Sequence, residues 1–233
     1  MSDAYYVDLI SDLNLTETDT FDWSGKASSL FCIVAGNVSS DMTVLGNTLR
    51  HLSENYRGVF FIDGSLEHAK LEDYESRIVE IKSLCDAIPG VVYMFNHVVI
   101  LNGVAFVAVN GWYGNRKHLD TYEDLEYIER YTAEDVEYLS VTIKKLQAHQ
   151  DVKKIVVVTN SMPSEYLGFN SPKVTFNGHM KPAIGLIFDT NLKVNNWLFG
   201  TDDIEVDVVL ANRRYVNNPV VPGVLYFPKR VDV

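Results

Sequence analysis

Basic residues, cysteines and long apolar runs are all scarce in this chain of 233 residues. Lys and Arg number 20 against 31 Asp and Glu, for a formal net charge of -11, and the isoelectric point is near 4.9. Such a field repels a phosphate backbone at long range, so nucleic acid is not expected as a partner. Only Cys32 and Cys85 are present, without Cys-x-x-Cys spacing, which excludes zinc sites of the finger type. One lies in an apolar run and one on a helix face, and both are read as buried free thiols rather than a disulfide. No apolar run approaches the roughly 18 residues needed to span a bilayer. The stretch Met1 to Tyr6 has neither a basic nor an apolar signal region, so a soluble cytoplasmic protein with no membrane partner is expected. The sequons at Asn14 and Asn37 then read as accidental. A G-x-S-x-G elbow, a P-loop lysine motif and a paired cysteine and histidine are missing as well.

What is present is 47% hydrophobic residues, enough to bury one sizeable core in a single domain spanning residues 1–233. Apolar runs alternate with stretches of helical period, the pattern of an α/β fold. Tyr5 to Ile10, Leu30 to Ala35, Val59 to Ile62 and Ile155 to Val158 read as buried strands. Met42, Leu45, Leu49, Leu52 and Tyr56 share one helix face, with Asp41 as its N-cap. Tyr74, Ile78, Ile81 and Cys85 mark a second helix that ends before Pro89-Gly90. Asn102-Gly103, between Val98–Leu101 and Val104–Val107, tolerates the positive φ angles of a tight hairpin. An acidic, aromatic segment from His118 to Tyr131 precedes a helix carrying Val136, Leu139, Ile143 and Leu146. Trp197 to Phe199, Val206 to Leu210 and Leu225 to Phe227 are predicted to complete a strand-rich C-terminal third.

Five short boxes carry a resemblance over nearly the whole chain. Asp8-Leu9-Ile10-Ser11-Asp12-Leu13-Asn14 resembles a strand-end D-x-H box, with Asn14 in the histidine place. Val34-Ala35-Gly36-Asn37 resembles a G-D box with an amide replacing the bridging carboxylate. Asp63-Gly64-Ser65-Leu66-Glu67 stands at a G-N-H-E turn, with Ser65 and Leu66 for asparagine and histidine. Val156 to Ser164 resembles V-V-T-H-H-x-P-S with Asn160 at a ligand histidine. Trp197-Leu198-Phe199-Gly200-Thr201-Asp202-Asp203 resembles W-x-F-G-H-T-H, with Thr201 and Asp203 in the histidine places. The boxes are those of calcineurin-like metallophosphoesterases of the compact bacterial and phage type.

That resemblance implies a four-layer αββα sandwich of two mixed β sheets, with two divalent metals held by loops at strand carboxyl ends. Such a centre needs carboxylates and imidazoles together to bridge a hydroxide and clamp a phosphate. Here only Asp12 stands unchanged. Asn14, Asn37, Ser65, Asn160, Thr201 and Asp203 occupy altered ligand positions, and Leu66 replaces the histidine that would protonate the leaving oxygen. The expectation is a catalytically inactive protein without a resident cofactor, a binding or scaffold module that engages a protein partner or itself. Two rivals remain. Asp12, Asn37 and Asp202 can offer oxygen ligands to one Mg, Mn or Ca ion in a phosphodiesterase or phosphatase, or the old cleft can hold a nucleotide without turnover. Trp112, Tyr113, Tyr122 and Tyr127 are candidate interface anchors, against the alternative that they pack a helix on the sheet. His68, beside the Gly64–Glu67 turn, could approach the old centre but is expected exposed at a helix start, His179 is expected in a loop, and His51, His97, His118 and His149 lack ligand spacing. Arg213-Arg214 and Lys229-Arg230 are expected solvated or ion-paired.

Overall fold

Side chains along a strand alternate between two faces, and in this chain both faces are covered. The computed structural model describes residues 5–68, 73–111, 122–163, 167, 193–200, 205–210, 212–221 and 223–233. Strands β1 (Tyr6–Ile10), β2 (Phe31–Ala35), β3 (Gly58–Ile62), β4 (Val91–Tyr93) and β11 (Lys229–Asp232) form one sheet in the order β11-β1-β2-β3-β4. Strands β5 (His97–Leu101), β6 (Val104–Val109), β7 (Lys154–Thr159), β8 (Val194–Phe199), β9 (Asp207–Leu210) and β10 (Arg213–Val216) form the other, ordered β5-β6-β7-β8-β10-β9. Val7, Leu9, Ile33, Phe60 and Ile62 of the first sheet meet Phe106, Ala108, Val156, Val158 and Leu198 of the second in one apolar layer. Each large side chain fully buried there contributes roughly 1.5–3 kcal/mol.

The outer faces are closed by helices. Ile10, Cys32, Val34, Val59 and Phe61 pack under α1 (Met42–Asn55) and α2 (Tyr74–Asp86), with Leu45, Leu49, Leu52 and Ile81 facing them. Ala105, Val107, Val157, Trp197 and Phe199 pack under α3 (Tyr122–Ala148) through Leu139, Ile143 and Leu146. The result is the αββα sandwich of two mixed sheets. Among the described residues no helix is long and apolar enough to cross a membrane.

Local signals hold where the chemistry is local. Asp41 caps α1, its Oδ1 accepting the Val44 N–H at 2.8 Å, and Asn102 and Gly103 take φ of 50° and 82° in the β5–β6 hairpin. Cys32 and Cys85 are buried free thiols, and burial pushes Cys85 up to about 12. Two expectations are corrected. Helix α3 begins at Tyr122, inside the segment read as preceding it. Leu225 to Phe227 form no strand, and the final strand is β11, antiparallel to β1. Strand β9 is exposed along its whole length because it is the outer edge of its sheet.

Asp8, fully buried on β1, shows how the helix face tolerates a charge. Its carboxylate accepts from Ser28 N at 2.7 Å, Ser28 Oγ at 2.6 Å and Tyr56 Oη at 2.8 Å, while Trp23 Nε1 donates to Tyr56 Oη at 2.9 Å. Hydrogen bonds on every side offset its desolvation.

At the sandwich edge, ion pairs bridge the two sheets. Arg214 on β10 pairs with Asp207 of β9 at 2.8 Å and with Asp232 of β11. Lys229 of β11 pairs with Glu205 and, at 3.1 Å, with Asp207. Arg213 is instead buried, its Nε donating to the Val194 carbonyl at 3.3 Å. The Arg214 guanidinium holds the Asp207 carboxyl below its ordinary 3.8. The stabilisation from a depressed carboxyl is complete above the unfolded value and is lost as pH falls through the folded one. Asp207→Asn should therefore lower stability by about 0.5–1 kcal/mol at pH 6, a partly exposed pair being worth no more. Urea midpoints of the two proteins should converge as pH falls below 3.8, and a gap that widens in acid would contradict this origin.

Candidate functional site

Parallel strands bring their carboxyl ends to one side of a sheet, where loops can converge. In the first sheet β1, β2, β3 and β4 run parallel, and in the second β6, β7, β8 and β10 do. Asp12, Asn37, the Gly64–Glu67 turn, Asn160 and Gly200 follow the ends of β1, β2, β3, β7 and β8. The structure joins them directly. Asn37 Nδ2 donates to Asp12 Oδ1 at 2.8 Å, and Asn37 Oδ1 accepts from Leu66 N at 3.0 Å and Ser65 Oγ at 3.4 Å. Asn14 Nδ2 turns back to the Asp12 carbonyl at 2.8 Å. Asn160 Nδ2 crosses between the sheets to the Ala35 carbonyl at 3.2 Å.

Three glycines make room for the Asn160 amide. A Cβ on Gly36 would lie 2.3 Å from Asn160 Nδ2, one on Gly64 2.5 Å from the same atom, and one on Gly200 2.2 Å from the Ala35 carbonyl oxygen. Asp12, Asn14 and Asn37 adopt φ of 53°, 49° and 53°, a left-handed conformation that Asn and Asp accept more readily than other side chains. Backbone outliers clustered at strand ends mark a functional centre in many folds.

Glu67 is the hub beneath the site. Its buried carboxylate accepts from the backbone N–H of Val38 at 2.6 Å, Gly64 at 2.7 Å, Asn37 at 3.1 Å and Ser39 at 3.1 Å. Burial raises its pKa above the ordinary carboxylate value, against the N–H groups of Gly64, Val38 and Ser39. His68 corrects the sequence expectation: it is buried, with Nε2 bonded to Asp63 Oδ2, and it packs on Tyr74 at a ring distance of 4.5 Å. Asp63 Oδ1 accepts from Tyr93 Oη at 2.8 Å. Sequence reasoning did not single out this Asp63–His68–Tyr93 group, because Asp63 and Tyr93 are 30 residues apart. The signal available was that His68 directly follows the Gly64–Glu67 turn.

Of the candidate interface aromatics, Trp112 and Tyr113 lie outside the described residues, as does the side chain of Tyr122. Tyr127 is half-buried, its ring 6.4 Å from that of Tyr131, which stacks on Tyr74 of α2 at 4.0 Å. These two tyrosines thus pack α3 against α2. A groove of about 380 Å³ beside Leu66 is lined by Asn14, Thr16, Glu17, Ser39 and Asp41, among others. Among the described residues two carboxylates and no lysine or arginine line it, an electrostatic setting that repels a phosphate.

The described residues at these strand ends do not fit the two metals that the sequence resemblance implies. Two cations between these strand ends need anionic or imidazole ligands, whereas Asn37 and Asn160 aim N–H donors at Asp12 and Ala35. Among the described residues no three His, Cys, Asp or Glu side chains come together as a metal-binding group. Thr201, Asp202 and Asp203 lie outside the described residues.

No protein-family model matches the chain, and no curated protein sequence does. Solved structures do match. A phosphopantetheinyl hydrolase from Mycobacterium tuberculosis aligns with a TM-score of 0.64 at 15% identity, covering 99% of this chain and 97% of that one. GAP50 of Plasmodium, described as the anchor in the inner membrane complex, aligns with a TM-score of 0.56 at 10% identity, covering 93% of this chain and 71% of that one. At such identities the likeness concerns the fold alone. Together with the two mixed sheets and their helical layers, it identifies the architecture as the metallophosphoesterase-type fold.

Proposed function

We propose that this protein is a catalytically inactive relative of the calcineurin-like metallophosphoesterases, a single domain that serves as a binding or structural scaffold for a protein partner or for itself. One observation carries the reading: the Asp12 carboxylate at the retained ligand position is bonded by the Asn37 amide at 2.8 Å. A side chain that would bridge cations has become a hydrogen-bond donor. Leu66 has no proton to give a leaving oxygen, and its backbone N–H is engaged with Asn37 Oδ1. Hydrolysis of a phosphate ester needs an activated water and charge stabilisation, and these residues supply neither. GAP50, named as an anchor, is a precedent for a non-hydrolytic task on this architecture, and fold by itself does not dictate chemistry. We place the protein in the cytoplasm, or, if a phage encodes it, in the host cytoplasm or the virion.

The test is hydrolysis of bis(p-nitrophenyl) phosphate by the full chain in millimolar manganese or magnesium. The expected rate equals that of buffer with the same metal. Turnover that disappears in Asp12→Ala would overturn the proposal and establish the single-cation enzyme built on Asp12, Asn37 and Asp202. Calorimetric titration with nucleotides should give no heat of binding, consistent with the carboxylates Glu17 and Asp41 in the groove. Saturable heat would establish the nucleotide binder instead.

A further inference from the structure

Asn37 and Asn160 do the mechanical work that cations do in a metal centre. We infer that their carboxamides are built-in, charge-neutral cross-links between strand ends, which make the stability of this chain independent of divalent cations. The inference rests on the non-catalytic reading and deepens it.

A cation held among strand-end loops does two structural things: it cancels carboxylate charge, and it ties together segments far apart in sequence. Here neutral N–H groups make the ties, and one of them solvates the Asp12 carboxylate without cancelling its charge. Asn37 Nδ2 donates to Asp12 Oδ1 at 2.8 Å while its Oδ1 accepts from Leu66 N at 3.0 Å, so one side chain joins the ends of β1 and β2 to the turn after β3. Asn160 Nδ2 reaches the Ala35 carbonyl at 3.2 Å, which joins the second sheet to the first across 125 residues of sequence. The space is matched to these amides, because Gly36 and Gly64 each leave out a Cβ that would lie within 2.5 Å of Asn160 Nδ2. Asp12, Asn37 and Asn160 are 5%, 7% and 1% exposed, so the bonds act in a medium of low dielectric where they are strong and hard for water to replace.

The chemistry makes a sharp distinction between amide and carboxylate at position 37. Aspartate there keeps the bonds from Leu66 and Ser65 but faces Asp12 with oxygen against oxygen at the 2.8 Å now spanned by a hydrogen bond. Two buried carboxylates at that distance repel, and a cation between them relieves the repulsion.

The experiment measures Tm of the full chain in chelator and again in millimolar magnesium, calcium or manganese. The wild type is expected to melt at the same temperature throughout. Asn37→Asp is expected to melt lower in chelator and to rise by about 5 °C when cation is added. Asn37→Leu, which has neither donor nor charge, is expected to melt lower in both. A wild type that cation stabilises as much as Asn37→Asp overturns the inference, and so does an Asn37→Asp that matches the wild type in chelator. If Asn37→Asp does not fold in either condition, Asn160→Asp decides: a carboxylate facing the Ala35 carbonyl should give a Tm that responds to cation, and one that does not respond sinks the idea. Phosphodiester turnover with a wild-type Tm that cation leaves unmoved would refute the non-catalytic reading alone, whereas turnover with a cation-raised Tm would refute both, because a cation held by the folded chain stabilises it. Cation stabilisation of a wild type without turnover would refute the cross-links alone.

Discussion

Glu67→Ala is expected to lower stability by about 4 kcal/mol, because it orphans four backbone donors at once at about 1–3 kcal/mol each, summed less than additively. The donors are the N–H groups of Asn37, Val38, Ser39 and Gly64. They belong to two segments, the β2–α1 connection and the turn after β3, which this carboxylate ties together beside the bonds from Leu66 N and Ser65 Oγ to Asn37 Oδ1. For a chain of this size the loss corresponds to roughly 8–16 °C in Tm. Glu67→Gln should fall between the two proteins, since one amide oxygen can serve part of the donor set while the NH₂ group faces the rest. Thermal melts of the three proteins check the ordering. A melt of Glu67→Ala within a degree or two of wild type would mean that water replaces the carboxylate and that Glu67 is no hub.

Gly200→Ala is the second large effect. Its Cβ would lie 2.2 Å from the carbonyl oxygen of Ala35, with Asn160 Nδ2 and the Asn160 carbonyl each at 3.2 Å. The first contact is backbone at the end of a central strand and cannot swing away as a side chain does. One sheet must shift against the other, and overpacking of this kind costs about 3 kcal/mol. Gly46→Ala provides the contrast. Its Cβ meets only the end of the flexible Leu84 side chain, at 2.9 Å, and helix propensity gains about 1 kcal/mol from the change. Urea midpoints should show Gly46→Ala near wild type and Gly200→Ala far below it. Equal midpoints would mean that the strand ends are not in close contact at Gly200.

These contacts explain which parts of the site were legible beforehand. The boxes around Asp12, Asn37, Gly64 and Asn160 stand out because they resemble those of a known family, and each sits where an apolar run stops. What the altered residues do there was not readable. Asn37 looked like the loss of a bridging carboxylate, and only the folded chain shows its amide turned toward Asp12. His68 was expected exposed by its position at a helix start, whereas tertiary packing places it against Tyr74 and Asp63. Asp8 drew no attention as a buried charge, because its partners Ser28 and Tyr56 are 20 and 48 residues away.

Periodicity and turn chemistry depend on neighbours in the chain, so the sequence by itself determined the strands from β1 to β3, the faces of α1 and α2, the Asn102-Gly103 hairpin and the two inert thiols. Pairing and approach depend on residues that meet only after the chain has closed on itself. The tertiary structure alone decided that β11 returns to lie against β1, that β9 is left at an exposed edge, and that Asn160 reaches across from one sheet to the other. Local propensity carries no information about a bond between residues 125 positions apart, and it is bonds of that kind that make the strand ends a closed, hydrogen-bonded centre.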